Sequence, residues 1–177
     1  MDIRIRAAEP RDAPAMARVY VDARRATYAG IMPSEFLVDL SYRKAEMRWN
    51  GVLADKTRKT FVAETHDGEV VGLAGGGPER EDNPTHRAEL FLIYLLVGYQ
   101  RQGLGRRLLS AVAEELRADG FRSMVVWALR DTPEACRFYE SLGGEVVESG
   151  TVTIGGRDLA EVCYGWRNIG DFAASPI

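Results

Sequence analysis

The sequence predicts a single mixed α/β domain in which helices pack against one central β-sheet. At 177 residues the chain is slightly longer than one typical domain, and its 46% apolar and 28% charged residues are ordinary for a globular protein. A buried strand, an amphipathic helix and a second strand follow one another at 89–129, which predicts a parallel pair because such crossovers are right-handed. Hairpin patterns on both sides of this unit predict antiparallel strands beside it. The expected sheet is therefore mixed and mostly antiparallel.

The N-terminal part of the chain predicts one strand and three helices. Residues 3–7 form the first strand, and Asp12 is the predicted N-cap of a helix that ends near Gly30. Glycine suits the left-handed backbone position that follows a helix. Pro33 and Ser41 are expected to open two shorter helices.

A hairpin and a loop are predicted next. Residues 59–65 are rich in β-branched and aromatic side chains, His66-Asp67-Gly68 forms the turn, and 70–74 is the partner strand. The run Gly75-Gly76-Gly77-Pro78 and the polar stretch up to Arg87 predict a mobile loop.

The second half begins with the βαβ unit. Residues 89–97 are almost all apolar, as in a strand covered on both faces. A glycine-bearing turn leads into a helix that runs up to Gly120, with leucines and a valine at helical spacing, and 123–129 forms the second strand. Thr132 and Pro133 are predicted as the N-cap and first residue of another helix, which stops at Gly143-Gly144.

The chain closes with a predicted β-hairpin. Its strands, 146–154 and 159–166, flank Gly155-Gly156, a pair that can adopt the positive φ angles of a tight hairpin turn. No linker divides the chain, so we expect one domain at 1–168 followed by a short tail at 169–177.

Composition excludes several classes of function. The net charge is −3, with basic and acidic residues mixed along the chain, so a dedicated nucleic-acid-binding surface is not expected. The longest apolar run is too short to cross a membrane, and the charged N-terminus does not resemble a signal peptide. Cys136, Cys163, His66 and His86 provide neither a metal site nor a Ser/His/Asp triad. We therefore expect a cytoplasmic protein without metal or membrane partners.

The loop at residues 100–106 is the most informative motif. Glycines before a helix allow the unpaired amides of its first turn to approach a phosphate, although the same residues are also compatible with a simple tight turn. Gly98 and Gly103 have Walker A spacing, but Leu104 and Gly105 replace the required Lys and Ser/Thr. Leu108 replaces the third glycine of a dinucleotide fingerprint. The remaining pattern is Q/R-x-x-G-x-G.

Two motifs together resemble the GNAT superfamily of acetyl-CoA-dependent N-acetyltransferases. The first is Gln100-x-x-Gly103-x-Gly105, and the second is the segment from Thr132-Pro133-Glu134-Ala135 to Phe138-Tyr139 and Gly143-Gly144. The similarity extends from the first strand to the closing hairpin. It implies helices on both sheet faces, a parallel pair that splays apart, and transfer of acetyl from acetyl-CoA to a primary amine without a covalent enzyme intermediate.

The resemblance also assigns the coenzyme site. The pantetheine arm would follow the strand end, and the pyrophosphate would lie on the loop amides; together these residues are Ile93, Tyr94, Leu95, Arg101, Gln102, Gly103, Leu104, Gly105 and Arg106. Thr132 stands where many members have an asparagine that contacts the coenzyme, and its hydroxyl can keep one contact. Val97 replaces a residue that is often polar or proline. A backbone amide near Leu95 would polarise the acetyl carbonyl.

Tyr139 and Glu89 are the predicted catalytic residues. Tyr139 matches the family tyrosine whose hydroxyl approaches the coenzyme sulfur, so it is the candidate general acid. The alternative is a core aromatic beside Phe138. Glu89 matches the general-base glutamate of histone-type members, and the alternative is a solvated carboxylate at a strand end. Other members carry a glutamate on the next strand, where this chain has Trp127.

The acceptor is not defined by any motif. Arg24, Arg25 and Tyr28 fall where relatives form the acceptor wall, although adjacent arginines are also typical of a solvated helix face. Small amines, amino acids, drugs and peptide amines all stay open. A non-catalytic acyl-CoA-binding module is the alternative function, and the resemblance implies a homodimer, with the closing hairpin as a candidate contact.

Overall fold

The protein is built on one seven-stranded sheet with strand order β1-β2-β3-β4-β5-β7-β6. The computed structural model describes residues 2–172, apart from the side chains of residues 171 and 172. All neighbouring strands are antiparallel except β4 and β5. The strands are β1 (Ile3–Ala7), β2 (Lys59–Thr65), β3 (Val70–Pro78), β4 (Ala88–Leu95), β5 (Met124–Leu129), β6 (Glu145–Ile154) and β7 (Arg157–Trp166).

Helices cover both faces of this sheet. They are α1 (Ala13–Tyr28), α2 (Ser34–Val38), α3 (Tyr42–Ala54), α4 (Leu104–Ala118) and α5 (Pro133–Ser141). On one face, Met16 of α1 and Trp49 of α3 pack with Leu73 of the sheet. On the other, the apolar stripe of α4 packs with Leu90 of β4 and Tyr139 of α5. The predicted fold class is confirmed.

Most local signals act as the sequence predicts. The Ser41 hydroxyl accepts the amide of Lys44 and caps α3. Gly155 and Gly156, with φ angles of 57° and 78°, form the two-residue turn of the β6–β7 hairpin. Met32 and Leu37, beyond α1, pack against Leu129 and Leu159, so the segment after α1 closes over the end of β5 and this hairpin.

The glycine run at 75–77 lies inside a strand, and the predicted loop there is wrong. β3 extends to Pro78, and Gly76, Gly77 and Pro78 pair with Leu90, Glu89 and Ala88 of β4. A Cβ on Gly76 would lie 2.7 Å from the carbonyl oxygen of Glu89 and 2.8 Å from Cγ1 of Val112. The glycines therefore permit close packing of α4 on the sheet and do not break the strand.

Asp12 precedes α1 but does not cap it with its side chain. Its carboxylate accepts both terminal nitrogens of Arg6, at 2.6 and 2.9 Å, and the amide of Glu9. Arg6 also binds Glu64 of β2, and all three side chains are largely buried. Hydrogen bonds from Arg6 and Arg4 lower the pKa of Glu64 from 4.5 to about 2. This network ties β1 to β2 and to the start of α1.

We expect this network to make the protein sensitive to acid. Because the pKa of Glu64 is lowered in the folded state, its stabilising contribution is complete above pH 4.5 and is lost as the pH falls towards about 2. Glu64→Gln should therefore flatten the decline of Tm across this range. Glu69→Gln, at the exposed pair with Arg18, is the matched control and should leave the decline unchanged. Identical acid profiles for Glu64→Gln and the wild type would contradict the assignment.

β4 and β5 separate soon after they meet. They pair only at Ala88 with Met124 and at Glu89 with Val125, although β4 continues to Leu95 and β5 continues to Leu129. Their carboxyl ends therefore diverge, and the β4 amides on this side face an opening instead of a neighbouring strand. This is the splayed parallel pair that the sequence predicts.

The packed region extends slightly beyond the expected domain end at residue 168. Ile169 is 2% exposed, packs with the α4 cluster, and its amide donates to the carbonyl of Arg122. Residues 173–177 of the predicted tail lie outside the described residues. Within 2–172, no helix is both long enough and apolar enough to cross a membrane.

Candidate active site

The loop before α4 presents a set of amides that find no acceptor in the part of the chain that the structure describes. Gly103, with a φ of 79°, is the N-cap of α4, and Arg101 also has a positive φ, of 60°. Among the described residues, none accepts a hydrogen bond from the backbone amides of 101–106; the ladder begins with Arg107 donating to Gly103. Consecutive amides in this geometry form a concave site for an anion.

Side chains of the motif hold the loop in place. Nε2 of Gln100 donates to the carbonyl of Leu95 at 3.1 Å, and Nε2 of Gln102 donates to that of Gly98 at 3.0 Å. Leu104 is buried beneath the loop. A Cβ on Gly105 would lie 3.2 Å from the Phe138 ring, so glycine allows α5 to pack on the first turn of α4. The motif thus fixes the loop beside the end of β4.

The charges around the loop favour an anion. Arg101 is exposed, Arg106 is half-buried, and neither forms an ion pair with a described residue. The positive end of the α4 dipole points to the same place. The residues predicted to bind a pyrophosphate therefore lie together, and the arrangement fits that group.

The end of β4 lines the opening with side chains on both faces. Ile93 and Leu95 pack with the α4 cluster, and Tyr94 packs with the α1 cluster. Of the predicted coenzyme residues on this strand, Tyr94 thus directs its side chain towards α1.

Tyr139 lies on the α4 side of the opening and is 5% exposed. Its ring packs against Phe138, Tyr164 and Trp166. Burial, together with the nearby Tyr28 hydroxyl, raises the pKa of Tyr139 well above its usual value. No described residue hydrogen-bonds to its hydroxyl. Tyr139 therefore packs in the core, and its protonated hydroxyl has no partner among the described residues.

Thr132 and the cysteines have structural contacts. The Thr132 hydroxyl donates to the carbonyl of Leu129 at 2.5 Å and makes no side-chain cap on α5. The Thr132 oxygen can therefore only accept a hydrogen bond from a coenzyme. Cys136 is half-buried, and burial raises the pKa of the buried Cys163 thiol to about 12, which keeps it protonated at neutral pH. Among the described residues, no cluster of histidine, cysteine or carboxylate side chains could hold a metal ion.

Glu89 is buried and paired, so the solvated-carboxylate alternative is wrong. It is 3% exposed and lies at the last paired position of β4 and β5, where the opening begins. Its Oε2 accepts Nε of Arg80 at 2.9 Å, and its Oε1 accepts Nη2 at 2.5 Å. Because Arg80 is half-exposed, this ion pair connects the inner carboxylate to the surface.

Glu161 is a second carboxylate near the opening that the sequence did not indicate. It lies on β7 opposite Leu129, the last residue of β5. Burial raises its pKa, and the neighbouring carboxylates Glu81 and Glu148 raise it further. The alternating pattern of the exposed hairpin gave no signal for Glu161, because the face of the hairpin that lines the opening is defined only once β7 pairs with β5.

Arg24 and Tyr28 meet Tyr94 on the α1 side. Nη1 of Arg24 lies 3.1 Å from the hydroxyl of Tyr20 and 3.4 Å from that of Tyr94, and the Tyr28 and Tyr94 hydroxyls are 3.5 Å apart. Arg25, one residue further along α1, instead donates to the carbonyls of residues 37, 38 and 40 at the end of α2. The structure thus separates two arginines that the sequence grouped together.

Known proteins are similar to this chain in sequence and in fold. Residues 18–144 match the Acetyltransferase (GNAT) family. YuaI of Bacillus subtilis, an uncharacterized N-acetyltransferase, is 37% identical over 167 residues that cover 94% of each protein. The L-methionine sulfoximine/L-methionine sulfone acetyltransferase of Pseudomonas paraeruginosa is 30% identical over 82% of each protein.

A solved structure shows the same fold. The PaiA N-acetyltransferase of Thermoplasma acidophilum, crystallised in complex with coenzyme A, aligns with a TM-score of 0.74 over 92% of this chain and 98% of its own, at 20% identity. The family match spans the loop, Glu89 and Tyr139. On this evidence the chain belongs to the GNAT family of acetyltransferases.

Proposed function

We propose that this acetyltransferase moves the acetyl group of acetyl-CoA directly to a primary amine. The free amides of the 101–106 loop, which lie beside the opening between β4 and β5, carry the proposal. They fit the pyrophosphate of a coenzyme whose thioester end would then reach the opening. Two related proteins support the choice, because one was crystallised with coenzyme A and the other is named for acetylating L-methionine sulfoximine and sulfone.

The reaction requires the protein to polarise the carbonyl group, to accept a proton and to donate one. The amine nitrogen forms a bond to the thioester carbonyl carbon, the carbon–sulfur bond breaks, the amine loses a proton, and the departing thiolate gains one. We assign polarisation of the carbonyl to the β4 amides that face the opening near Leu95. We assign proton donation to Tyr139, whose raised pKa keeps it protonated at neutral pH. The same apolar surroundings would raise the pKa of the thiolate and favour its protonation.

We assign the role of general base to Glu89. An alkyl ammonium has a pKa near ~10 and is mostly protonated at neutral pH, so a nearby carboxylate can assist its deprotonation. Glu89 lies where β4 and β5 separate, and Arg80 holds its carboxylate in place.

We expect Glu89→Gln to lower kcat/KM at neutral pH by about 10²-fold, the range seen for positioned acid–base groups. Arg80 still finds an acceptor in glutamine, so the fold should persist. Glu161→Gln is the comparison, because that carboxylate also lies by the opening. An unchanged kcat/KM in Glu89→Gln together with a comparable loss in Glu161→Gln would transfer the role to β7.

The direct test of the function is release of free thiol from acetyl-CoA in the presence of a panel of primary amines. We expect amine-dependent release, together with thermal stabilisation by coenzyme A and not by ATP or NAD; ligand at ~100 times Kd adds about 2.7 kcal/mol. Stabilisation by acetyl-CoA with no release for any amine would favour the alternative, a non-catalytic acyl-CoA-binding module.

The exposed edge strand β6 is a candidate surface for the predicted homodimer, which light scattering would test.

A further inference from the structure

Arg24 is a shielded cation for which the described residues provide no counter-ion. Its Nε is buried and has no hydrogen-bond partner, and Nη2 has only the sulfur of Met32, at 3.8 Å. Within residues 2–172, no carboxylate lies within ion-pair distance of its guanidinium. Arg6, which is also partly buried, is in contrast bound by both Asp12 and Glu64.

The surroundings of Arg24 orient its charge but do not neutralise it. The guanidinium carbon lies 5.1 Å from the ring centre of Tyr20, 5.5 Å from that of Tyr28 and 5.9 Å from that of Phe36. Aromatic faces and phenol hydroxyls attract a cation, but an enclosed charge is fully compensated only by an anion. A planar guanidinium with free N–H groups is well suited to bind a carboxylate.

The position of Arg24 connects this charge to the proposed reaction centre. Its Nη1 contacts the Tyr94 hydroxyl, which lies 3.5 Å from the Tyr28 hydroxyl, and Tyr28 in turn acts electrostatically on Tyr139. An anion on Arg24 would therefore lie on the α1 side of the opening. The coenzyme phosphates do not suit this role, because the loop that fits them lies at the start of α4, on the other face of the sheet.

We propose that the acceptor is an amine that also carries a carboxylate, as an amino acid does, and that Arg24 binds this carboxylate. The inference rests on the proposed function and specifies its substrate class. The ammonium end of such a zwitterion would find carboxylates at the opening, since Glu89 lies where β4 and β5 separate and Glu161 lies opposite Leu129, the last residue of β5. Arg24 is thus a specificity-determining residue that touches the substrate and takes no part in proton transfer.

The test compares amino acids with their carboxamides, which keep the amine and remove the negative charge. L-methionine, L-methionine sulfone and L-phenylalanine are each paired with the matching amide, and kcat/KM is expressed per unprotonated amine. We expect the wild type to prefer the carboxylate by about 10- to 100-fold, the range of a charged hydrogen-bonded contact. Arg24→Met should bring this ratio close to one, and Arg24→Lys should retain part of it.

Controls separate this inference from loss of folding and from failure of the proposed function. Arg25→Met, which removes the neighbouring arginine with its bonds to the end of α2, should lower Tm and keep the carboxylate preference. Binding is measured independently of turnover, as stabilisation by each amino acid in the presence of coenzyme A. Stabilisation that disappears in Arg24→Met supports the site. The inference is overturned if each amino acid and its amide act equally, or if the ratio of their kcat/KM values is unchanged in Arg24→Met. Either result counts even if amines are acetylated.

Discussion

We expect Tyr139→Phe to lower kcat by about 10²- to 10⁴-fold, the usual contribution of a positioned proton donor. The substitution removes only the hydroxyl, to which no described residue hydrogen-bonds, so the aromatic packing with Phe138, Tyr164 and Trp166 should persist. The Kd for coenzyme A should change by less than about twofold, since the proposed phosphate site is the loop before α4. Thiol release at saturating amine measures the effect.

Tyr164→Phe is the matched control for this prediction. Tyr164 lies next to Tyr139, with ring centres 5.8 Å apart, but its hydroxyl donates to the Glu140 carboxylate at 2.8 Å. Its removal should lower Tm and leave kcat near the wild-type value. An unchanged kcat in Tyr139→Phe, or an equal loss in both variants, would remove Tyr139 from the mechanism.

The second large effect is expected at the glycine loop. In Gly103→Val a β-branched residue would have to adopt a φ of 79°, which is a genuine outlier for such side chains. The backbone should rearrange and the amides of 101–106 should no longer converge. We expect the affinity for coenzyme A to fall by at least about tenfold, as loss of even one charged hydrogen bond would produce. Calorimetric titration with coenzyme A measures the loss.

Gly98→Val provides the comparison for Gly103→Val. Gly98 lies in the same connection between β4 and α4, has no positive φ, and a Cβ there would meet no atom within 4 Å. The same side chain should therefore be accepted with coenzyme affinity intact. If both variants bind coenzyme A like the wild type, the loop is only a turn, which is the alternative that the sequence left open.

The βαβ unit and its loop could be predicted because their signals are local. Apolar residues at helical spacing define α4, and glycine is favoured where φ is positive, as at Gly103. The free amides follow from these two facts alone, because the first turn of any helix lacks partners. The resemblance to the acetyltransferase family rested on this segment and on the start of α5, and the family match confirms it.

The sheet face on which each β4 side chain lies could not be predicted, because a β-bulge reverses the alternation of the side chains. Gly75 pairs with Leu92 and Gly76 with Leu90, so Phe91 has no counterpart on β3. As a result Leu90 lies in the α4 cluster, whereas Leu92 and Tyr94 lie with α1. Simple alternation would place Leu90 and Tyr94 on one face. The contact between Tyr94 and Arg24 depends on this bulge.

The sequence by itself determined the class of fold, the position of the glycine loop and the family. These depend on backbone preferences and on periodicities that act over a few residues. Tertiary structure decided three further points. Arg24, and not the adjacent Arg25, contacts Tyr94; Arg80 holds the Glu89 carboxylate; and the glycine run at 75–77 lies in a strand. Two of those outcomes depend on contacts between residues far apart in the chain, Arg24 with Tyr94 and Gly76 with Val112. The third, the contact of Glu89 with Arg80 nine residues away, forms where β3 pairs with β4. No local pattern encodes such contacts, because burial and pairing are defined only when the sheet is assembled.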